Sequence, residues 1–167
     1  TEQLLNFINR ALENIKLKRE NLKLENKMFH SFDLIGESNQ ILKIKKLISK
    51  LSSTDSRVLI SGPTGSGKEL VARKIHKNSN RSKNSFIVMN GALLQSDNYE
   101  NELFGSENKD GSVSYGFLEK ASNGTLLIDE VSEIPLDTQA KILRVLIDQK
   151  FKRINGTKDI NVNIRII

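Results

Sequence analysis

This chain of 167 residues is long enough to form one compact domain with a sizeable core and too short for two large ones. It contains no cysteine, which excludes disulfides, thiolate metal sites and cysteine nucleophiles, and its two histidines, His30 and His76, are too few and too scattered for a zinc site. The formal net charge of +6 could favour polyanions, but lysines spread along the whole chain, without a helix-turn-helix or zinc-finger pattern, indicate ordinary solvated surface.

The sequence lacks the features of membrane and exported proteins. No apolar run approaches the roughly 20 residues that a membrane-spanning helix needs, and the first residues lack the apolar core of a signal peptide. The absence of cysteine also suits a reducing compartment. We therefore expect a cytoplasmic protein without membrane contact.

The first residues predict a long helix, because Leu4–Met28 has no proline or glycine and is rich in Leu, Glu, Lys and Asn. Apolar residues recur there at three- and four-residue steps that Arg19 and Asn26 interrupt: Leu5, Ile8, Leu12, Ile15 and Leu22. Both a short parallel coiled coil and an amphipathic helix lying on its own domain fit this pattern. The pattern breaks at Phe32–Ser38, and a domain boundary near Phe29 divides residues 1–29 from residues 30–167.

Apolar runs alternate with helical stretches in the rest of the chain. The predicted strands are Val58–Ile60, Phe86–Met89, Leu126–Ile128 and Val162–Ile167, and the predicted helices cover Ile41–Leu51, Leu70–Ile75 and Leu136–Ile147. Continuous apolar strands separated by helices are typical of a parallel sheet covered on both faces, which is an α/β doubly wound fold. The pair Asn155-Gly156 further predicts a small hairpin between Phe151–Ile154 and the last strand.

A glycine-rich segment lies directly between the first predicted strand and the helix that follows it. Its residues are Gly62, Pro63, Thr64, Gly65, Ser66, Gly67 and Lys68. Glycines let several backbone N–H groups point at a β-phosphate, the helix N-terminus adds its positive end, and Lys68 can reach the β- and γ-phosphates. The segment predicts a P-loop (Walker A) that binds nucleotide, with an incidental glycine-rich turn as the alternative.

An acidic pair complements this loop. Glu69 replaces the Ser or Thr that usually follows the P-loop lysine, so the hydroxyl that normally contacts Mg²⁺ is missing. The apolar run Leu126–Ile128 ends in Asp129 and Glu130, as a Walker B segment does. Asp129 is then placed to hold Mg²⁺, directly or through water, and Glu130 to polarise the attacking water. Two acids at a strand end are usually solvated when taken alone, but together with the P-loop they predict a Mg²⁺-ATP site.

Six segments carry a resemblance to a known family: Leu34–Ser38, Gly62–Glu69, Asn90, Glu102–Gly105, Gly124–Glu130 and Ile142–Leu146. They resemble the AAA+ domain of sigma-N-dependent transcription activators, the NtrC family. The likeness extends from Phe32 to Ile167, and the family commonly has Glu after its P-loop lysine. The resemblance implies a P-loop NTPase fold of the AAA+ type.

The resemblance assigns roles to individual residues. Leu34 and Ile35 would contact adenine, and the segment from Gly62 to Leu70 would wrap the phosphates of ATP. Asp129 would serve the metal, Mg²⁺, and Glu130 the attacking water.

Asn90 matches the switch residue of the family. In that role it holds the Walker B glutamate, here Glu130, and reports on the nucleotide state. The alternative, from the residues themselves, is a turn residue at the end of the strand, with its side chain bonded to backbone.

The sequence departs from the family in one loop. A loop carrying the GAFTGA motif follows the Glu-Leu-Phe-Gly segment in the family and engages the sigma factor. This chain has the shorter Ser106–Tyr115 there, without the aromatic-threonine tip, which counts against sigma contact by the usual route. The short loop, with Asp129–Val131, Val145–Gln149 and Gly156–Lys158, resembles the NtrX branch of response regulators, which are paired with membrane sensor kinases.

The resemblance also indicates what this sequence leaves out. Residues 1–27 resemble the end of a receiver domain running into a linker helix, so a sensor histidine kinase would act through a receiver that is absent. The family's arginine fingers, helical lid and DNA-binding helix-turn-helix lie beyond the match to Ile167, so we expect weak or absent ATP hydrolysis and DNA contact only through that absent part. A missing neighbour strand would leave the apolar edge Arg57–Ser61 open, which predicts marginal stability and self-association.

The predicted function is therefore that of an ATP-binding module in an NtrX-like two-component response regulator that controls transcription. Two alternatives remain open from the residues. One is an active ATPase that remodels the sigma-N RNA polymerase. The other is a degenerate fragment without function.

Overall fold

A computed structural model describes residues 33–93, 98–108 and 110–167, and the chain divides into two units, Thr1–Gly36 and Glu37–Ile167. Residues 33–36 of the first unit form no helix or strand. The helix predicted over residues 4–28 and the boundary predicted near residue 29 lie outside the described residues. None of the helices in the described ranges is long and apolar enough to cross a membrane.

The second unit alternates helices and strands. Its helices are α1 (Asn39–Ser52), α2 (Lys68–Lys77), α3 (Tyr99–Phe104), α4 (Phe117–Lys120) and α5 (Leu136–Asp148), with 3-10 turns at Gly91–Leu93 and Val131–Glu133. Its strands are β1 (Phe86–Asn90), β2 (Ser106–Glu107), β3 (Val113–Ser114), β4 (Thr125–Asp129), β5 (Lys150–Phe151), β6 (Ile160–Asn161) and β7 (Arg165–Ile166). The helices predicted at Ile41–Leu51, Leu70–Ile75 and Leu136–Ile147 and the strands predicted at Phe86–Met89 and Leu126–Ile128 are confirmed.

A parallel sheet of three strands, in the order β1–β4–β7, forms the centre of this unit. Strands β1 and β4 pair along their whole length and end with Asn90 opposite Asp129. Successive side chains of β4 face opposite sides, since Thr125 contacts His76 of α2 whereas Leu126 lies in the core beneath α5. The α/β architecture with both faces covered is therefore confirmed.

The main core lies between the sheet and helices α3, α4 and α5. Its buried members are Met89, Tyr99, Leu103, Phe104, Leu118, Ala121, Leu126, Ile134, Ile142, Val145, Phe151, Val162 and Ile164. The rings of Phe104 and Phe151 meet edge to face, with centroids 5.7 Å apart. This packing holds the carboxyl ends of β1 and β4 in fixed positions beside each other.

Buried polar groups fasten the opposite face of the sheet to α1 and α2. Arg165 of β7 is 1% exposed and donates to the carbonyl oxygens of Leu51 (2.8 Å) and Ser56 (3.3 Å), so its positive charge meets the negative end of α1. His76 Nδ1 lies 2.8 Å from the Thr125 hydroxyl oxygen. Burial lowers the pKa of His76 to about 4, which keeps the ring neutral at physiological pH.

The strand predicted at Val58–Ile60 is wrong, because this segment is not a strand in the structure. The Val58 N–H donates to the Ile166 carbonyl oxygen at 3.3 Å, which places the segment along the free edge of β7. The segment forms no ladder because β7 itself pairs over only two residues, Arg165–Ile166, and offers it no regular partner. Leu59 is consequently 82% exposed.

The last predicted strand is shorter than expected, with Arg165–Ile166 alone in the ladder. Hydrogen bonds with the end of α5 hold the residues that precede β7 outside the ladder. Gln149, in the left-handed conformation, accepts the Val162 N–H on its carbonyl oxygen (2.9 Å) and the Ile164 N–H on its side chain (3.3 Å).

The predicted hairpin forms, but its strands are β5 and β6, and the Asn155-Gly156 pair lies inside the connecting loop. Ile154, which we predicted to lie in the hairpin strand, pairs with another segment instead. Its N–H donates to Gly105 (2.9 Å), and its carbonyl accepts from Glu107 (3.0 Å). Because the loop between β5 and β6 is longer than a two-residue turn, Ile154 can bond to the β2–β3 hairpin and so connect it with the β5–β6 hairpin.

Candidate functional site

The glycine-rich loop wraps the N-terminus of α2. Gly65 (φ 77°) and Gly67 (φ 88°) occupy the left-handed region, where residues with a β-carbon are strained. Gly67 is the N-cap of α2 and accepts the Val71 N–H at 3.1 Å. The first N–H groups of α2 have no carbonyl partner within the helix, so they and the positive end of the helix face the loop. This arrangement can bind an anion.

Lys68 begins α2 and bends back over the loop. Its ammonium nitrogen lies 3.2 Å from the Gly62 carbonyl oxygen, 3.4 Å from that of Pro63 and 3.8 Å from a carboxylate oxygen of Glu130. The cation therefore lies between the phosphate loop and the end of β4. A bound phosphate would meet it there.

Glu69 points along α2 toward Arg73, whose Nε donates to its carboxylate at 2.7 Å. The Arg73 guanidinium also lies 4.8 Å from the centre of the Phe86 ring. Leu70, the next residue, is half-buried, whereas Thr64 and Ser66 are exposed at the loop. The ion pair with Arg73 occupies the Glu69 carboxylate, so a metal is not required to explain this residue in the helix.

Asp129 and Glu130 follow the buried part of β4. One carboxylate oxygen of Asp129 accepts the Glu130 N–H at 3.1 Å. Glu130 adopts φ 50° and ψ 50°, a left-handed conformation that costs a residue with a β-carbon about 1–2 kcal/mol. A strained backbone persists only where the surrounding structure holds it. Glu130 is therefore held in this conformation by its neighbours.

A cavity of about 290 Å³ joins these groups. Its lining includes five of the predicted site residues: Gly62, Lys68, Glu69, Asp129 and Glu130. The P-loop and the acidic pair, separated by some 60 residues in sequence, therefore face one another in space, because the segment before the P-loop lies along β7 and the acidic pair ends the neighbouring strand β4.

Asn90 ends β1, directly beside Asp129. Its side-chain oxygen accepts the Ala92 N–H at 2.9 Å, which is the strand-end turn that the residue type alone allows. Its switch contact with Glu130 stays a prediction. Leu34 and Ile35 belong to the first unit, with Ile35 88% exposed, and their contact with adenine also stays a prediction.

Two residues of this region were not predicted from the sequence. Gly91 packs so closely that a Cβ atom there would lie 2.6 Å from the Glu130 carbonyl oxygen. Tyr99, at the start of α3, donates from its hydroxyl to the Gly91 carbonyl oxygen at 2.6 Å. A glycine after a strand and a single tyrosine have no periodicity that would distinguish them, so only the tertiary structure reveals them.

The shortened loop forms a compact hairpin of β2 and β3. At its tip the Asn108 N–H donates to Ser112 (2.9 Å), and Asp110 accepts the Ser112 N–H on its carboxylate (2.8 Å). Arg153 holds the base of the hairpin, donating to Glu107 (2.8 Å). Local hydrogen bonds thus define the part of this loop that the structure describes.

The residues present fit a Mg²⁺ ion that is bound together with a nucleotide. Within the described ranges no cluster of three or more His, Asp and Glu side chains forms a metal cage. Mg²⁺ usually takes one or two carboxylates, phosphate oxygens and water, so Asp129 beside the P-loop matches that requirement and Glu130 can serve as a water-facing base.

Comparison with known proteins gives consistent matches. This chain is similar to the nitrogen assimilation regulatory protein NtrX of Azorhizobium caulinodans, with 40% identity covering 99% of this chain and 37% of that protein. It is also similar to crystal structures of NtrX from Brucella abortus in complex with ATP and with ADP. Both are 43% identical to it, with TM-scores of 0.79 and 0.77, and each match covers 99% of this chain and 35% of that chain.

The chain thus spans about a third of the length of the relatives it matches. Residues 34–167 match the model of the sigma-54 interaction domain. The predicted resemblance and the P-loop NTPase fold are confirmed. On these matches, the chain belongs to the family of the sigma-54 interaction domain.

Proposed function

We propose that this chain is the ATP-binding module of an NtrX-like two-component response regulator that controls transcription in the cytoplasm. The observation that carries the proposal is the cavity of about 290 Å³ in which Lys68 faces Asp129 and Glu130. Its groups match the parts of an ATP: loop N–H groups and Lys68 for the phosphates, and carboxylates for Mg²⁺ and water. The similarity to NtrX structures in complex with ATP and ADP supports the same conclusion.

In this proposal each predicted residue has one role. The segment from Gly62 to Leu70 surrounds the phosphates, Asp129 holds Mg²⁺, and Glu130 orients water. Asn90 senses the γ-phosphate through Glu130, and Leu34 with Ile35 covers the adenine.

Turnover of ATP by this chain alone is proposed to be slow. Among the described residues that line the cavity, Lys68 is the cation, and no arginine accompanies it. Transition-state charge on a transferred phosphoryl group commonly needs an arginine supplied by a neighbouring subunit, which contributes about 10³–10⁵ in rate. Assembly with further copies would therefore be required for efficient hydrolysis.

The proposed partners follow from the family. A sensor histidine kinase would signal through a receiver domain, and DNA would be bound through a helix-turn-helix. An ATPase that remodels the sigma-54 RNA polymerase is the second candidate function, and the family match favours it. The compact hairpin from Ser106 to Ser114 counts against sigma contact by the usual loop.

The test is thermal unfolding of the chain with and without Mg²⁺-ATP. A ligand at about 100 times its Kd that binds only the folded state stabilises it by roughly 2.7 kcal/mol. We expect this rise for the wild type and for the control Lys77→Ala, at the other end of α2, but not for Lys68→Ala. A cooperative melt that ignores ATP would contradict the proposal, and the absence of a cooperative melt would favour a degenerate fragment.

A further inference from the structure

Two backbone turns meet beside the candidate phosphate site. One, Gly91–Leu93, follows Asn90, and the other, Val131–Glu133, follows Glu130. A Cβ atom at Gly91 would lie 2.6 Å from the Glu130 carbonyl oxygen, so the two turns are in direct backbone contact. A displacement of either turn must therefore move the other.

The hydroxyl of Tyr99 touches both turns. It donates to the Gly91 carbonyl oxygen at 2.6 Å and lies 3.3 Å from the Glu133 carbonyl oxygen. The Glu133 N–H donates to the Glu130 carbonyl oxygen at 3.0 Å, so both acceptors belong to the junction of the two turns. Tyr99 is 6% exposed, and its ring packs in the main core, which fixes the position of the hydroxyl.

This junction holds a strained residue. Glu130 has φ 50° and ψ 50°, and a left-handed backbone at a residue with a β-carbon needs support from its surroundings. The backbone contact from Gly91 and the hydrogen bonds of Tyr99 supply that support. Tyr99 does not line the cavity itself, so any effect on a ligand must pass through the backbone.

We infer that Tyr99 is a positioning residue of the nucleotide site, whose hydroxyl fixes the turns after Asn90 and Glu130 so that the acidic pair meets the Mg²⁺ and γ-phosphate of ATP. This inference rests on the proposed function. The P-loop, by contrast, holds the phosphates that ADP also carries, from the other side of the cavity. The role of Tyr99 is therefore confined to ligands that carry Mg²⁺ and a γ-phosphate.

The test compares two ligands, Mg²⁺-ATP and ADP in EDTA, by calorimetric titration of the wild type, Tyr99→Phe and Tyr115→Phe. Tyr99→Phe removes only the hydroxyl, and Tyr115 is a matched control because it is 57% exposed and lies in the hairpin segment. Loss of one hydrogen bond should raise the Kd for Mg²⁺-ATP by about two- to tenfold in Tyr99→Phe, with the Kd for ADP unchanged. Tyr115→Phe should change neither constant.

A structural role alone gives a different result. A lower melting temperature for Tyr99→Phe, with the ratio of the two dissociation constants equal to that of the wild type, would overturn the inference. If the wild type bound neither nucleotide, the proposed function itself would fail and the inference with it.

A second measurement does not depend on the stability of Tyr99→Phe. The sequence has two tyrosines and no tryptophan, so Tyr99 is the sole source of tyrosine fluorescence in Tyr115→Phe. Mg²⁺-ATP should change this emission, because the charge of the ligand at the acidic pair alters the hydrogen bonds between the hydroxyl and the Gly91 and Glu133 carbonyl oxygens, whereas ADP in EDTA should not. An emission that Mg²⁺-ATP leaves unchanged would overturn the inference.

Discussion

Lys68 and Glu130 face each other at the candidate phosphate site, with 3.8 Å between the ammonium nitrogen and a carboxylate oxygen. The two side chains are 22% and 37% exposed, so solvent weakens their attraction. A γ-phosphate that approached Lys68 would bring its negative charge close to the Glu130 carboxylate. Binding of ATP would then replace the ion pair with a contact between Lys68 and phosphate.

Replacing the Glu130 carboxylate with an amide should strengthen the binding of Mg²⁺-ATP and slow its turnover. We expect Glu130→Gln to strengthen Mg²⁺-ATP binding by about 0.5–1 kcal/mol, or roughly two- to fivefold, because one repulsive charge is removed at a partly exposed site. Turnover by the complete protein should fall, because the amide cannot polarise water as a base. Titration and phosphate-release assays, with Glu133→Gln as the control, test both effects. Unchanged affinity together with unchanged turnover would rule out the proposed role of Glu130.

Arg153 ties two acidic side chains together and should be important for stability. It donates to Glu119 (2.7 and 3.0 Å) and Glu107 (2.8 Å), and its guanidinium lies 5.3 Å from the centre of the Tyr115 ring. The hydrogen bonds that Arg153 donates to the carboxylates of Glu119 and Glu107 raise its pKa above the usual range, so it stays charged at any ordinary pH. A lysine cannot reproduce the planar, forked geometry of these contacts.

We therefore expect Arg153→Lys to lower the free energy of unfolding by about 1–2 kcal/mol, measured in urea. Arg144→Lys, an exposed position on α5, is the control and should change it by less than about 0.5 kcal/mol. Equal stability of the two variants would show that the network around Arg153 contributes little.

The buried His76 predicts a pH dependence of stability. Burial, followed by the charges of Arg165 and Arg73, lowers its pKa from 6.5 to about 4, although a hydrogen bond with the Asn84 backbone partly offsets this. Between these values the unfolded chain binds the proton and the folded chain does not. Stability from this group is thus complete above pH 6.5 and declines as pH falls toward 4, with a slope of at most about 1.4 kcal/mol per pH unit.

His76→Gln, which keeps a polar group near Thr125, should flatten the dependence of melting temperature on pH across that interval. The other histidine of the sequence provides the matched control, since His30→Gln should retain the wild-type slope if His76 is its source. A wild-type slope in His76→Gln would assign the dependence to other groups.

The sequence predicted best where local pattern and tertiary environment agree. The apolar runs ending at Met89 and Ile128 form β1 and β4, which pair with each other along their whole length, so continuous hydrophobicity identified them. The glycines of the P-loop were informative because their left-handed conformations are a local requirement. Lys68 and Asp129, which these features singled out, line one cavity.

Other features depend on contacts that no local pattern encodes. Val58–Ile60 is as apolar as β1 and β4, but its Val58 N–H donates to Ile166 without the regular ladder that joins those two strands. Ile154 pairs with Ser106, which lies 48 positions earlier in sequence, rather than within its own hairpin. Tyr99 acts on Gly91 through a tertiary hydrogen bond, which sequence spacing does not reveal.

An apolar groove lies between the Val58–Leu59 segment and α5. It encloses about 440 Å³, and Leu59, Leu136 and Leu143, which line it, are 82%, 80% and 53% exposed. Exposed leucines grouped in this way beside a sheet edge favour association, since covering one leucine contributes about 1.5–3 kcal/mol. The self-association predicted from the sequence has this face as its candidate surface.

Sedimentation velocity over a range of concentrations tests that prediction. We expect the wild-type chain to gain mass as its concentration rises, and Leu136→Asp to remain monomeric, because a carboxylate in the groove would have to be desolvated on association. Leu93→Asp is the matched control, since Leu93 is 81% exposed but does not line the groove. It should associate like the wild type if the groove is the contact. A wild-type chain that stays a monodisperse monomer with a sharp, cooperative melt would contradict both the association and the marginal stability expected of the open edge.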